Sequence, residues 1–136
     1  LRKLLLEELI KGDRFPFFIE LRNLSNQTIL ENLREQLKRI GCDFDENEAQ
    51  LEYFIQSKEC LIFLDGFDEV SSGKRNLILN EIMDLNTRFN AEIIVSSRPD
   101  TEICRKVGVH SYDVLRLEID DVIQILERVD SLFEEG

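Results

Sequence analysis

Apolar residues along this chain follow two rhythms, one recurring every three or four positions and one of short unbroken runs. In the first quarter, Leu1, Leu4, Leu5 and Leu9 fall on one face of a helix that Gly12 can end. FPFFIEL (15–21) reads as a strand, with Pro16 near its start, where a missing N–H donor is tolerated. Thr28 and Glu31 stand at capping-box spacing and open a helix over 28–41, striped by Leu30, Leu33, Leu37 and Ile40. Asp45 followed by Glu48 would cap a shorter helix carrying Leu51, Phe54 and Ile55.

The second half repeats the alternation. CLIFLD (60–65) is the most apolar run and predicts a buried strand. A helix from about Lys74 to Phe89 would bury Leu77, Ile78, Ile82 and Leu85. AEIIVSS (91–97) predicts another buried strand, stopped at Arg98-Pro99. After a short polar helix around 101–107, YDVLRL (112–117) reads as a last strand. A closing helix then carries Val122, Leu126, Val129 and Phe133 on one face. Strands that alternate with helices and lack polar alternation indicate an α/β fold, a three-layer parallel sheet with helices on both faces. The length, 136 residues, and the lack of any linker or repeat indicate a single domain over 1–136.

Charge narrows the function. With 28 acids against 17 bases the net charge is −11, a surface that repels nucleic acid. The basic groups Arg34/Lys38/Arg39 and Lys74/Arg75 sit beside acids on expected helices, as solvated faces do. No apolar run reaches the roughly 20 residues that span a bilayer, and Glu7 and Glu8 within LRKLLLEELI argue against reading it as a signal peptide, so no membrane partner is expected. Cys42, Cys60 and Cys104 are odd in number and lack CxxC spacing. They read as reduced thiols of a cytoplasmic protein. His110 has no Ser, Cys or acid at catalytic spacing and reads as a loop or core residue.

The chemistry concentrates in LIFLDGFDEV (61–70), where a buried strand stops on Asp65, followed by Gly66, Asp68 and Glu69. In open parallel sheets, ligands sit beyond the carboxyl ends of the strands. One carboxylate there can hold Mg²⁺ together with bound phosphate and waters. Asp68 or Glu69 could orient or activate a water, and Arg98, ending another strand, could neutralise phosphate charge. A blander reading makes the three acids a helix cap and Arg98 a surface partner of Asp100 or Glu102.

LIFLDGFDEV resembles the extended Walker B motif of the NACHT group of signal-transduction (STAND class) P-loop NTPases. FPFFIELRNLS is similar to the second strand of that group, and IIVSSRP to its sensor 1 strand. The order and spacing agree along nearly the whole chain. The resemblance implies that Asp65 is the Mg²⁺-associated acid, acting through water, and that Asp68 and Glu69 are the candidates for water activation, the choice between them open. It implies that Arg98 is the sensor 1 arginine reading the terminal phosphate. It further implies ATP/ADP exchange that switches a larger protein between closed and oligomerising forms.

One part of such a site has no counterpart. A P-loop requires GxxxxGK[ST], whose backbone amides, Lys and hydroxyl hold the phosphates and Mg²⁺. The only Gly-Lys here is Gly73-Lys74, in SSGKRN, with no first glycine at the right distance. The expectation is therefore a NACHT fragment beginning just after Walker A, with LRKLLLEELIKGD resembling the helix that follows it. The P-loop strand would lie upstream of Leu1, and the chain alone would bind ATP weakly and hydrolyse little or none. In the family that strand sits mid-sheet, between the strand ending at Arg98 and YDVLRL. Without it the last strand must shift, pair elsewhere or leave an open edge, and an exposed edge favours self-association as a dimer or swapped assembly.

Three rivals stand beside this reading. A receiver-like phosphorelay domain would use Asp65 as phosphoacceptor, but it needs a Lys before Pro99, where Arg98 stands, and an acid pair ending the FPFFIEL strand. A haloacid dehalogenase-type phosphatase needs two Asp separated by one residue, whereas two residues separate Asp65 from Asp68. A non-catalytic interaction or oligomerisation module meets no such objection.

Overall fold

A computed structural model describes residues 1–44, 47–114 and 118–134. Its elements run α1 (Arg2–Lys11), β1 (Pro16–Glu20), α2 (Ile29–Arg39), α3 (Glu48–Ser57), β2 (Leu61–Asp65), α4 (Ser72–Arg88), β3 (Glu92–Val95) and α5 (Ile119–Glu134). The three strands form one parallel sheet in the order β1-β2-β3. Pro16 pairs with Leu61 and Glu20 with Asp65 on one side of β2; Leu61 pairs with Glu92 and Leu64 with Val95 on the other. The α/β class read from the sequence is the class observed.

The register sorts side chains onto two faces, because successive strand residues point to opposite sides. Phe17, Ile19, Ile62 and Leu64 share one face and join the main core with Ile29, Leu33 and Leu37 of α2, Leu51 and Ile55 of α3, and Ile78, Ile82 and Leu85 of α4. Leu61 and Phe63 point the other way and are also fully buried. Glu20 and Glu92 share that second face, and α1 is tied to both. Arg2 pairs with Glu20 at 3.0 Å, and Arg14, just beyond the helix, pairs with Glu8 at 2.8 Å and with Glu92. Helices therefore cover both sides of the sheet, and α1 starts at the end of the sheet where Asp65 emerges.

Three helical stripes are turned relative to the sequence reading, and a fourth is left exposed. In α1 the inward residue is Glu8, while Leu4 and Leu9 stay exposed. The cause is Arg14, whose guanidinium meets both Glu8 oxygens and fixes the rotation of the helix. In α2 the buried line is Ile29, Leu33 and Leu37; Leu30 is half-buried, and Ile40 is exposed at the helix end. The expected capping box is present, Thr28 Oγ1 accepting from the Glu31 amide while the Glu31 carboxylate accepts from the Thr28 amide. In α4 the arc through Ile78, Ile82 and Leu85 takes in Leu79 and leaves Leu77 exposed. In α5 the apolar face is amphipathic as expected, yet Val122, Leu126 and Val129 are exposed; the Phe133 side chain lies outside the described residues.

Other boundaries also differ. Asp45, the expected cap of α3, lies outside the described residues, and Asn47 caps that helix by accepting the Gln50 amide at 3.2 Å. β3 is half-buried rather than buried, since among the described residues no strand pairs with its outer edge. The expected last strand is not formed over Tyr112, Asp113 and Val114, where Tyr112 and Val114 are exposed; residues 115–117 of it lie outside the described residues. The short polar helix is a 3-10 turn over Glu102–Arg105.

Candidate functional site

The site grows from the carboxyl end of β2. Four apolar residues run through the middle of the sheet, and the strand stops at Asp65, the first side chain that cannot be buried without a partner. Gly66 then takes a left-handed conformation (φ 79°, ψ 53°), which turns the chain sharply at a place where other residues are strained. Phe67 folds back into the core with no exposed surface. With Phe67 anchored, the 3-10 turn over Phe67–Glu69 puts Asp68 and Glu69 on the rim. The alternation of acid, glycine and apolar residue in DGFDE is thus the recipe for this turn.

β3 ends beside it and locks it in place. The Ser96 amide donates to Leu64 O at 2.9 Å, and Ser96 O accepts from the Phe67 amide at 2.9 Å. The Ser96 hydroxyl donates to Asp65 Oδ1 at 2.5 Å and accepts from the Gly66 amide at 2.9 Å. Among the described residues no Lys or Arg pairs with Asp65, so its charge is met by a hydroxyl and not by a cation.

Asp68 and Arg98 are brought together. Asp68 Oδ1 accepts from the Arg98 amide at 3.3 Å, and Arg98 Nε lies 3.4 Å from Asp68 Oδ2. The Arg98 side chain is otherwise 84% exposed, so the pair is a weak surface contact that a ligand can displace. The surface partners named for Arg98 in the blander reading are not its partners here, Glu102 lying 3.9 Å from Arg75 instead. Glu69 turns away toward Arg22, at 3.7 Å, which also reaches Glu20 at 3.3 Å. Asp65, Asp68 and Arg98 therefore share one stretch of rim, and Glu69 stands at its side.

Three residues of this arrangement were not singled out by sequence reasoning. Ser96 had a readable signal, since it lies one step past the last β2–β3 pair, opposite Asp65. Arg22 had none, because it reaches Glu69 only through the turn after β1. Arg75, read as part of a solvated face, binds the turn from beneath: its Nη2 donates to Asp68 O at 2.8 Å and its Nε to Val70 O at 3.0 Å. It fixes the backbone of the acidic turn without engaging the Asp68 carboxylate.

Among the described residues no three His, Cys, Asp or Glu side chains cluster as a metal cage. One unpaired carboxylate on an open rim does not hold a resident ion, but it fits Mg²⁺ that arrives with phosphate and keeps most of its waters. Two clefts among the described residues, of 660 Å³ and 180 Å³, lie elsewhere, the first beside Phe44, Tyr53 and Phe54 and the second between Leu24, Thr28 and Glu81. Cys42, Cys60 and Cys104 are free thiols, and burial pushes the Cys60 thiol up to about 12, which keeps it protonated and inert. No described helix is long and apolar enough to cross a membrane.

Comparison with known proteins gives two matches. Residues 2–132 match the model of the NACHT domain family. NLR family CARD domain-containing protein 4 of Xenopus tropicalis is 29% identical over 117 residues, a match covering 85% of this chain and 12% of that protein. The chain thus spans about an eighth of that curated relative. No solved structure matches.

Proposed function

The chain belongs to the NACHT domain family, and from that membership we propose that it supplies the acidic and phosphate-sensing rim of a Mg-ATP-dependent signalling switch. The family is one of nucleotide-binding signalling NTPases, and the switch itself is the step inferred for this protein. The observation that carries the proposal is Asp65: a carboxylate at the end of the central strand, held by the Ser96 hydroxyl at 2.5 Å and without a cationic partner among the described residues.

In this reading Asp65 holds Mg²⁺ through water. Bound with nucleotide, the ion would neutralise charge on the phosphate oxygens. Arg98 leaves its loose contact with Asp68 and meets the terminal phosphate, since an exposed guanidinium gives up little in exchanging one anion for another. Release of Arg98 frees Asp68, 21% exposed, to orient or accept a proton from water. Glu69 is the alternative acid for that role, reached once Arg22 lets go. The phosphate cradle comes from outside these 136 residues, because no GxxxxGK[ST] lies within them. The same absence favours a second reading for the chain in isolation, a non-catalytic interaction or oligomerisation module.

Calorimetric titration with MgATP of the 136-residue chain and of the full-length protein, each beside its Asp65→Asn variant, tests both. Expected are no saturable heat from the chain, saturable heat from the full-length protein, and weakened Mg-dependent binding in its variant. Full-length binding indifferent to both Mg²⁺ and Asp65→Asn would overturn the site, and saturable binding by the isolated chain would overturn the need for an outside cradle.

A further inference from the structure

We propose that Ser96 is the positioning residue of this site, the group that aims Asp65 and couples its carboxylate to the segment after β3 that carries Arg98. The inference rests on the reading of Asp65 as the Mg²⁺-associated acid and goes beyond it by naming what orients that acid.

The geometry gives Ser96 four bonds to the β2 turn. Its amide and carbonyl clamp Leu64 and Phe67, each at 2.9 Å, as any strand end could do. Its side chain adds two bonds that only a small hydroxyl supplies. It donates to Asp65 Oδ1 at 2.5 Å while taking the Gly66 amide at 2.9 Å. A hydroxyl has one proton to give, so acceptance from Gly66 leaves that proton for the carboxylate. One oxygen of Asp65 is thereby fixed, and rotation about its terminal bond is stopped. Groups that orient a metal-binding carboxylate in this way commonly matter as much as a ligand.

The same residue links the two halves of the site. Ser96 and Arg98 are separated by Ser97 alone, and the Arg98 amide is held by Asp68 at 3.3 Å. The segment after β3 therefore meets two carboxylates of the acidic turn, Asp65 through Ser96 and Asp68 through Arg98. A shift of the Arg98 segment on meeting phosphate pulls on the hydroxyl that aims Asp65.

The test uses Mn²⁺ as probe, titrated by electron paramagnetic resonance into the full-length protein loaded with ADP. Ser96→Ala is expected to weaken Mn²⁺ binding about tenfold, the usual size of losing such an orienting bond. Ser96→Thr, which keeps the hydroxyl, should stay within about twofold of the wild type. Nucleotide binding in EDTA should be alike in all of them, which a general loss of structure would not permit. If Ser96→Ala does not fold, Ser96→Cys keeps the volume with a weaker donor and should show an intermediate loss. Wild-type Mn²⁺ affinity in Ser96→Ala or Ser96→Cys, with affinity lost in Asp65→Asn, would overturn the role of Ser96 alone. Unchanged affinity in Asp65→Asn as well would overturn the reading of Asp65 on which it rests.

Discussion

Glu81 on α4 accepts the backbone N–H of Ile29, the first residue of α2, with 2.8 Å between Oε2 and nitrogen. An acid of one helix thus satisfies an amide that the other helix leaves unpaired at its N-terminus. Burial raises the Glu81 carboxyl above the ordinary glutamate value, the Ile29 amide opposes the rise, and the neighbouring Glu31 adds to it. The folded state binds this proton more tightly than the unfolded chain does. The stabilising contribution is therefore full below the unfolded pKa and is lost as pH rises through the raised folded one. Thermal melts of wild type and Glu81→Gln from pH 7 down to 4 should move in the wild type's favour as pH falls. Parallel curves would remove the effect.

Glu8 titrates with the opposite sign. The two hydrogen bonds from Arg14 hold its carboxyl below the ordinary value, with burial opposing and the charges of Arg14 and Lys11 assisting. A lowered folded pKa gives stability that is present above the unfolded pKa and is lost as pH falls through the folded one. Glu8→Gln should therefore destabilise at pH 7, with the difference from wild type closing as the solution is acidified. A difference that holds constant down to pH 3 would show that the pair contributes packing rather than charge.

How much of this was legible can be seen at particular residues. The strand at Leu61–Asp65 and the acidic turn after it are local, written by an apolar run, a glycine and a buried Phe. The fold class follows from such runs, and so does the place of Asp65 at the end of the sheet. Helix rotation does not, because Glu8 is drawn inward by Arg14, which Glu92 holds in turn, and no periodicity names either contact. Leu77 and Leu79 are equally apolar, and only the packing of α4 chooses between them. In the site, Asp68 and Arg98 stand 30 residues apart in sequence, and the parallel register brings them together. Ser96 was readable once that register was known.

Gly66 should resist replacement for backbone reasons. A Cβ there would come 2.9 Å from Glu69 Oε2, the movable end of a flexible side chain, so crowding is relieved by a rotamer change. The left-handed conformation is not relieved, and Gly66→Ala should cost about 1–2 kcal/mol. Gly66→Asn should cost less, since Asn tolerates that region through local hydrogen bonding. Urea unfolding of the three proteins checks the order; an Asn variant less stable than the Ala variant would contradict it.

Phe67 anchors the turn that presents Asp68 and Glu69. Being fully buried, it should cost about 3–5 kcal/mol when cut to Ala, a large part of the roughly 5–15 kcal/mol that holds a domain folded. Phe67→Leu keeps most of the volume and should lose appreciably less. Circular dichroism under denaturant reads both variants. A Phe67→Ala protein within about 1 kcal/mol of wild type would mean that the anchor lies elsewhere, in Arg75 or Ser96.

The outer edge of β3 makes the last prediction. Glu92 sends its amide to Cys60, just before the central strand, and Ser96 to Leu64 within it, so the amides of Ile93 and Val95, of opposite phase, face away from it. Among the described residues no strand takes them, and unpaired donors along a half-buried apolar strand are a template for pairing with another chain. The 136-residue protein should therefore self-associate, giving a light-scattering mass above its 16.0 kDa at micromolar concentration. Val95→Pro removes an outward donor while leaving the bonds to β2 intact, and should shift the mass toward the monomer. A monomeric mass for the unaltered protein at that concentration would refute the edge as an association site.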